Sequence, residues 1–278
     1  MIMKEYKLTI VIVTYKNEAN ILQCLGSLKK YILNGDILVI DNSSRDEIDR
    51  VIEKNFSRIK LIKNKKNIGF GAAANQGARI TKEDYLLFLN PDTVVKEGCI
   101  EEMVSFLKKK KDAGAIGCKV LNPDASLQPS CGRFPTIINI ILDRIPVLNK
   151  LFKTELIRQE NFYSKIQTPD WISGVFFMVK KNVFENLGGF DERYFLYVED
   201  VDFCYRAREA GYKIYYNPKA EIIHYDQGKS KERKPFKAKQ MRKGFSIFFK
   251  KYKSPLYVSL WKTVLIVESF FKPSLKGL

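Results

Sequence analysis

The sequence predicts a doubly wound α/β sheet carrying a basic helical C-terminal extension. Four short apolar runs alternate with stretches of helical spacing over residues 8–89, and three of those runs end in polar residues. The first run, LTIVIVT at 8–14, is apolar and β-branched almost throughout. Alternating strands and helices predict a parallel sheet with helices on both faces. An unbroken apolar run predicts a strand buried on both sides. Ligands of such sheets bind outside the carboxyl ends of the strands.

The elements follow in order. After the first strand, Ile21, Leu22, Leu25, Leu28 and Ile32 have helical spacing, with Asn17 or Asn20 available as a cap. Asp36–Ile40 reads as the second strand, 46–56 as a helix, Ile59–Ile62 as a third short strand and 71–80 as a helix. Tyr85–Leu89 is the fourth strand and ends in Asn90-Pro91-Asp92. Beyond it, 97–111 reads as a helix, 114–121 as a strand, Asn122–Pro135 as loop and 137–165 as mixed. Trp171–Val179 is strand-like, Lys181–Leu187 a short helix and 200–210 a helix; Tyr212–Tyr216 and Ala220–Ile223 are two short strands.

Composition excludes several classes. With 45% hydrophobic and 28% charged residues the chain is neither disordered nor fibrous. Five cysteines without a CxxC pair exclude a zinc ribbon and a disulfide framework. The single histidine, His224, excludes a multi-histidine metal site. The phosphate loop GxxxxGK[ST] is absent, and no GxGxxG follows the first strand, which disfavours P-loop hydrolysis and dinucleotide redox chemistry. The N-terminus has no signal-peptide pattern, so a cytoplasmic setting is expected.

Several groups are able to carry chemistry. Asp92, just past a strand end with Asn90 two positions earlier, suits a divalent cation that neutralises phosphates, although Asn-Pro-Asp is also ordinary turn chemistry. Glu199 and Asp200 follow the aromatics Tyr194, Phe195 and Tyr197. A carboxylate near aromatic walls can act as general base, and acids at a helix N-terminus are also simply favoured there. Asp202 and Arg206, four apart, predict an ion pair within one helix. Asn67–Asn75, with glycines at 69 and 71, joins a strand to a helix and allows close backbone approach, for an anion or for tight packing.

In order and spacing, TIVIVTYKNEANILQCLGSL, ILVIDNSSRD, NIGFGAAANQGA, LLFLNPDTVV and the segment from WISGVFF to EIIHY resemble family 2 glycosyltransferases. They are most similar to the rhamnosyltransferase-like branch that builds bacterial surface polysaccharides. The resemblance covers about residues 8–226. It implies a GT-A fold, a Rossmann-like nucleotide-binding sheet, and inverting transfer from a nucleotide sugar. Thr14, Tyr15 and Asp41 are then expected at the nucleobase, with Asn67, Gly69, Phe70, Asn75 and Asn90 near the nucleotide sugar. Trp171, Ser173 and Gly174 would line the acceptor and donor sugar. Asp92 and His224 would hold a divalent cation, Mg or Mn, the first acid of the family's DxD motif being Asn90 here. Asp200 is expected to be the base, with Glu199 beside it. The implied donor is dTDP-rhamnose first and a UDP-hexose second, and the implied acceptor is a glycan or a polyprenyl-linked sugar. A non-catalytic nucleotide- or glycan-binding protein on the same scaffold is the alternative.

The net charge of +17 is uneven. Residues 229–278 hold 14 Lys or Arg against 2 Asp or Glu, so +12 of the total lies there. This divides the chain into a catalytic domain, 1–228, and a basic amphipathic extension, 229–278. SPLYVSLWKTVLIVESFF at 254–271 is mostly apolar but carries Lys262 and Glu268, which argues against a full span. An interfacial helix on an anionic membrane surface is expected, peripheral at the inner face of the cell membrane. A hairpin packed on the domain, or a homo-oligomer contact, is the alternative. Nucleic acid is disfavoured, because the aliphatic segment has no role on a phosphate backbone.

Overall fold

The structure, a computed structural model, describes residues 7–16, 18–29, 36–43, 48–56, 59–144, 160–225 and 234–271. The first half runs β1 (Leu8–Thr14), α1 (Glu18–Ser27), β2 (Asp36–Asp41), α2 (Ile48–Asn55), β3 (Lys60–Lys63), α3 (Phe70–Ile80) and β4 (Tyr85–Leu89). Next come β5 (Thr93–Val95), α4 (Cys99–Lys109), β6 (Ala113–Leu121), β7 (Leu127–Gln128), β8 (Cys131–Gly132) and α5 (Ile137–Arg144). A 3₁₀ turn, Glu160–Ser164, precedes β9 (Trp171–Ile172), β10 (Phe176–Lys180), α6 (Lys181–Asn186), α7 (Glu199–Glu209) and β11 (Lys213–His224). Helices α8 (Lys234–Tyr252) and α9 (Pro255–Phe271) follow. Asn17, one candidate cap of α1, and much of the mixed 137–165 segment lie outside the described residues.

The main sheet has the order β3-β2-β1-β4-β10-β6-β11-β5, with β7 on β6. Strands β1 to β4 are parallel neighbours, β10 runs antiparallel to both β4 and β6, and β11 is parallel to β6. Consequently β1, β2, β3, β4, β6 and β11 all end at one edge, where the order reverses between β1 and β4. This is where an open α/β sheet leaves a crevice.

Alternation along β1 builds both faces. Leu8, Ile10 and Ile12 pack with α1, α2 and α4, whereas Val11 and Val13 pack with α3, α6 and α7. Each such buried side chain stabilises by about 1.5–3 kcal/mol. On the second face Phe88, Phe177, Phe184, Phe190 and Phe203 form one aromatic cluster, with centroids 5.0 Å apart for Phe88–Phe190 and 5.4 Å for Phe177–Phe203. It fixes the 187–191 turn beneath α7. The five cysteines are buried free thiols, as expected without a disulfide framework.

Two strands differ from the sequence expectation. The apolar run 171–179 is broken by a turn at Ser173-Gly174-Val175, so it supplies β9 and β10 to different sheets. The two expected strands at 212–216 and 220–223 are one long strand, β11, with a register shift between Asn217 and Glu221 where it passes β6.

Helices α8 and α9 form a hairpin, the alternative to a helix lying apart from the domain. Phe245, Phe248, Phe249 and Trp261 share a buried cluster with Ile140, Tyr194, Val198 and Val201. A polar network reinforces it. Fully buried Asp202 accepts hydrogen bonds from Tyr194 Oη (3.1 Å), Lys251 Nζ (2.8 Å) and Tyr252 Oη (2.9 Å). Arg206 Nε completes the set at 2.7 Å, the expected pair within α7. Four donors compensate a charge that would be costly if left alone. The outer side of α9 remains apolar and exposed: Leu256 is 72% exposed and Leu260 54%.

Candidate active site

The crevice is assembled by a chain of contacts that begins at β1 and β2. Thr14 pairs in register with Asp41, and both are buried. Asn42 N donates to Thr14 O at 2.8 Å, and Ser43 N donates to Asp41 Oδ1 at 2.8 Å. Thr14 Oγ1 is buried without a hydrogen-bond partner. Such a group is costly unless a ligand satisfies it. Tyr15, next along, is exposed, with Lys16 Nζ 5.6 Å from its ring centroid.

Asn42 links this pair to the glycine-rich turn by donating from Nδ2 to Gly69 O at 3.0 Å. Asn64 in turn donates to Asn42 Oδ1 at 2.8 Å. Asn67 shapes the turn, its Oδ1 accepting Gly69 N at 2.9 Å. Gly69 has φ +88°, and a Cβ there would stand 2.6 Å from Phe195 O, so a side chain is excluded by conformation and by space. Phe70 N then donates to that same carbonyl at 2.9 Å. Asn75 faces elsewhere: its amide donates to Phe190 O and accepts Phe190 N, at 2.8 and 2.9 Å, bracing α3 against the 190 turn.

The carboxylate pair comes next. Asp200 Oδ2 accepts Gly174 N at 2.8 Å and Oδ1 accepts Val201 N at 2.8 Å. The ring of Phe70 lies beside Gly174, so the glycine-rich turn, the 173–175 turn and Asp200 meet. Ser173 N donates to Ser130 O, and Trp171 is held by Nε1 donating to Arg133 O, both at 2.8 Å. Burial raises the Asp200 carboxyl above the usual aspartate range, against the lowering effect of its backbone hydrogen bonds. Glu199 is raised further, by burial first and then by the neighbouring Asp200 charge. Glu199 Oε2 has no hydrogen-bond partner. Asp200 therefore ionises before Glu199, whose carboxyl is held toward the neutral form by burial and by the Asp200 charge.

That ordering gives a test. Glu199→Gln replaces a neutral acid by a neutral amide, so turnover is expected to stay within roughly threefold of wild type. Raised above its unfolded value of about 4.3, Glu199 contributes stability that is lost as pH climbs through its folded value. The glutamine variant should melt progressively higher than wild type as pH rises from about 5 to 8. Thermal melts across that range check it; a melting difference independent of pH would show that Glu199 is ionised in the folded state.

The conformation preceding the pair is unusual. Tyr197 and Val198 have φ of 68° and 76°, a left-handed conformation that is unfavourable for a β-branched residue. Helix α8 holds it: a Cβ at Gly244 would stand 2.6 Å from Val198 Cγ2. The extension thus presses directly on the turn that launches Glu199 and Asp200.

The 173–175 turn also reaches the last group. Asn90 N donates to Val175 O at 3.0 Å, and Asn90-Pro91-Asp92 leads into β5, where Thr93 pairs with His224. His224 Nε2 is 3.2 Å from Asp92 Oδ1, and its Nδ1 is 2.6 Å from Gln128 Oε1. Gln128 Nε2 donates to Asn122 Oδ1, so the glutamine oxygen faces the ring and Nδ1 carries the proton. His224 Nε2 thus faces a carboxylate oxygen. The imidazole and the carboxylate converge, with the other ring nitrogen anchored as metal-bound imidazoles usually are. No group of three or more His, Cys, Asp or Glu able to hold a metal ion occurs among the described residues. Gln128 was not legible as part of the site, since it lies in a stretch read as loop.

Strand ends, a glycine turn, a buried carboxylate pair and an Asp–His pair gather at the switch point of a sheet of GT-A architecture. The family model "Glycosyl transferase family 2" matches residues 9–188, and the chain belongs to that family. It is 29% identical over 232 residues to the N-acetylglucosaminyl-diphospho-decaprenol L-rhamnosyltransferase of Mycobacterium tuberculosis, covering 78% of this chain and 76% of that protein. It is 30% identical over 224 residues to rhamnosyltransferase WbbL of Escherichia coli K12, covering 78% and 82%. Among solved structures, the mannosyltransferase PcManGT of Pyrobaculum calidifontis, in complex with GDP-Man and Mn²⁺, superimposes with a TM-score of 0.61 at 14% identity, covering 97% of this chain and 72% of that one.

Proposed function

We propose that this family 2 glycosyltransferase transfers rhamnose from dTDP-rhamnose to a sugar on a polyprenyl diphosphate, during cell-surface polysaccharide synthesis. The observation that carries the reading is the convergence of Phe70, Gly174 and Asp200, which brings the donor-side turn against a carboxylate of raised basicity. Thr14 and Asp41 take the nucleobase, and the Gly69–Phe70 backbone approaches the diphosphate. Asp92 and His224 hold a divalent cation. Such an ion stabilises negative charge on the departing diphosphate. Asp200 accepts the proton of the acceptor hydroxyl as that oxygen attacks the anomeric carbon from the face opposite the leaving group. One displacement inverts the centre, and no enzyme nucleophile is required. A panel of nucleotide sugars, assayed for cation-dependent release of nucleoside diphosphate with and without a lipid-linked N-acetylglucosamine, tests the reading. Release from dTDP-rhamnose that the acceptor stimulates is expected; no release from any donor would sink it.

The same reading places the enzyme on an anionic membrane. No described helix is long and apolar enough to cross a bilayer. The outer side of α9, with Leu256, Leu260, Ile266 and Val267 exposed, supports a helix lying in the interface, and the surrounding basic residues add about 1 kcal/mol each near anionic lipid. Leu256→Glu combined with Leu260→Glu is expected to release the protein from phosphatidylglycerol vesicles at low salt while the melting temperature stays close to wild type. Flotation checks this. Failure of the wild type to float would assign the face to a contact between copies, which sedimentation would reveal.

A further inference from the structure

A cavity of ≈ 460 Å³ lies between the 193–197 segment and helix α8. We infer that it is the subsite for the isoprenoid diphosphate part of the acceptor, a deepening that rests on the transferase reading above. Its position comes first. Phe195 lines the cavity, and the carbonyl of the same residue holds Phe70 N and closes over Gly69 on the donor side. Two residues beyond Tyr197, another wall residue, the chain reaches Glu199 and Asp200. The 193–197 segment thus lines the cavity, touches the glycine turn and leads directly into Glu199 and Asp200.

The lining defines the ligand. Arg193 and Lys243 supply positive charge, and no acidic residue lines the cavity among the described residues. Asp191, just outside the lining, is gripped by Arg193 at 2.9 Å and by Lys251 at 2.9 Å, which leaves Lys243 as the cation of the wall that no carboxylate in this network answers. Lys237 Nζ adds a further cation, 5.5 Å from the centroid of Tyr197. The remaining wall is apolar: Phe195, Phe236 and Ile247 line it, and the two phenylalanines are 38% and 48% exposed. Large exposed aromatics beside cations match a ligand with an anionic head and a hydrocarbon body. The volume lies in the range of small-ligand sites and suits a diphosphate with its first isoprene units. The same hairpin that forms the wall also presents the exposed aliphatic side of α9, where the rest of a long lipid would lie.

Calorimetric titration of the full-length protein with farnesyl diphosphate, farnesol and inorganic pyrophosphate, without any nucleotide sugar, tests the assignment. Farnesyl diphosphate is expected to bind, with the two fragments weaker by about tenfold or more. Lys243→Glu and Phe236→Ser should each weaken farnesyl diphosphate by about tenfold or more, with melting temperatures near wild type showing that both variants fold. Absence of binding to the wild type, binding as tight as wild type by either variant, or pyrophosphate binding as tightly as the lipid would each overturn the proposal. Because no donor is present, these outcomes stand whether or not the protein transfers sugar.

Discussion

Asp200→Asn is expected to lower kcat for transfer by about 10²–10⁴, the usual contribution of a positioned general base. Binding of nucleoside diphosphate should change little, because Asp200 touches the backbone of Gly174 and Val201 and the groups expected at the nucleobase lie at other strand ends. The substitution is nearly isosteric, yet its amide turns two hydrogens toward a backbone N–H that now meets a carboxylate oxygen, so one hydrogen bond is lost, about 0.5–1.5 kcal/mol. A melting curve separates that modest cost from the kinetic one. For the wild type, the acid limb of kcat/KM should lie above the ordinary aspartate range, since burial raises the carboxyl and the base works only when ionised. Near-normal turnover of the asparagine variant would remove Asp200 from the role.

Asp92→Ala is expected to weaken cation-dependent binding of nucleoside diphosphate by about 10–100-fold or more, and His224→Ala by less. Asp92 supplies the carboxylate of a two-donor set, and nothing else in that set carries a negative charge. His224, anchored through Nδ1 to Gln128, offers an imidazole nitrogen rather than a second carboxylate. Gln128→Ala should reproduce part of the histidine effect, by releasing the ring from its tautomer. Titrations of nucleoside diphosphate with and without Mn²⁺ measure all three variants. An unchanged Mn²⁺ dependence in His224→Ala would make the histidine structural.

Much of this was legible in the residues, and the parts that were not share a physical cause. Strands β1, β2 and β4 are fully or largely buried runs with polar ends, and period alone locates them and the crevice they open on. Asp41 and Asp92 lie at or just past strand ends and Asp200 in the first turn of α7, places that short-range patterns mark. The turn at Ser173-Gly174-Val175 stayed hidden inside an apolar run, because composition does not distinguish a strand from two strands joined by a tight bend. Gln128 is 96 residues from His224, and Gly244 meets Val198 from the far end of the chain. Such pairings depend on how the sheet and the hairpin pack, which no local pattern encodes. The extension shows the limit most plainly. Its charge and aromatic content suggest a surface helix, whereas Trp261 and Phe248 are buried against the domain and the exposed apolar residues lie on the other side of α9.

The most direct measurement of the central claim is the anomeric configuration of the transfer product, read by NMR from a reaction with dTDP-rhamnose and a lipid-linked or soluble acceptor. A single displacement with Asp200 as base predicts inversion relative to the donor, with that product lost in Asp200→Asn. Retention of configuration would contradict it, because a single displacement inverts the anomeric centre and retention would give the carboxylate a different role, that of nucleophile.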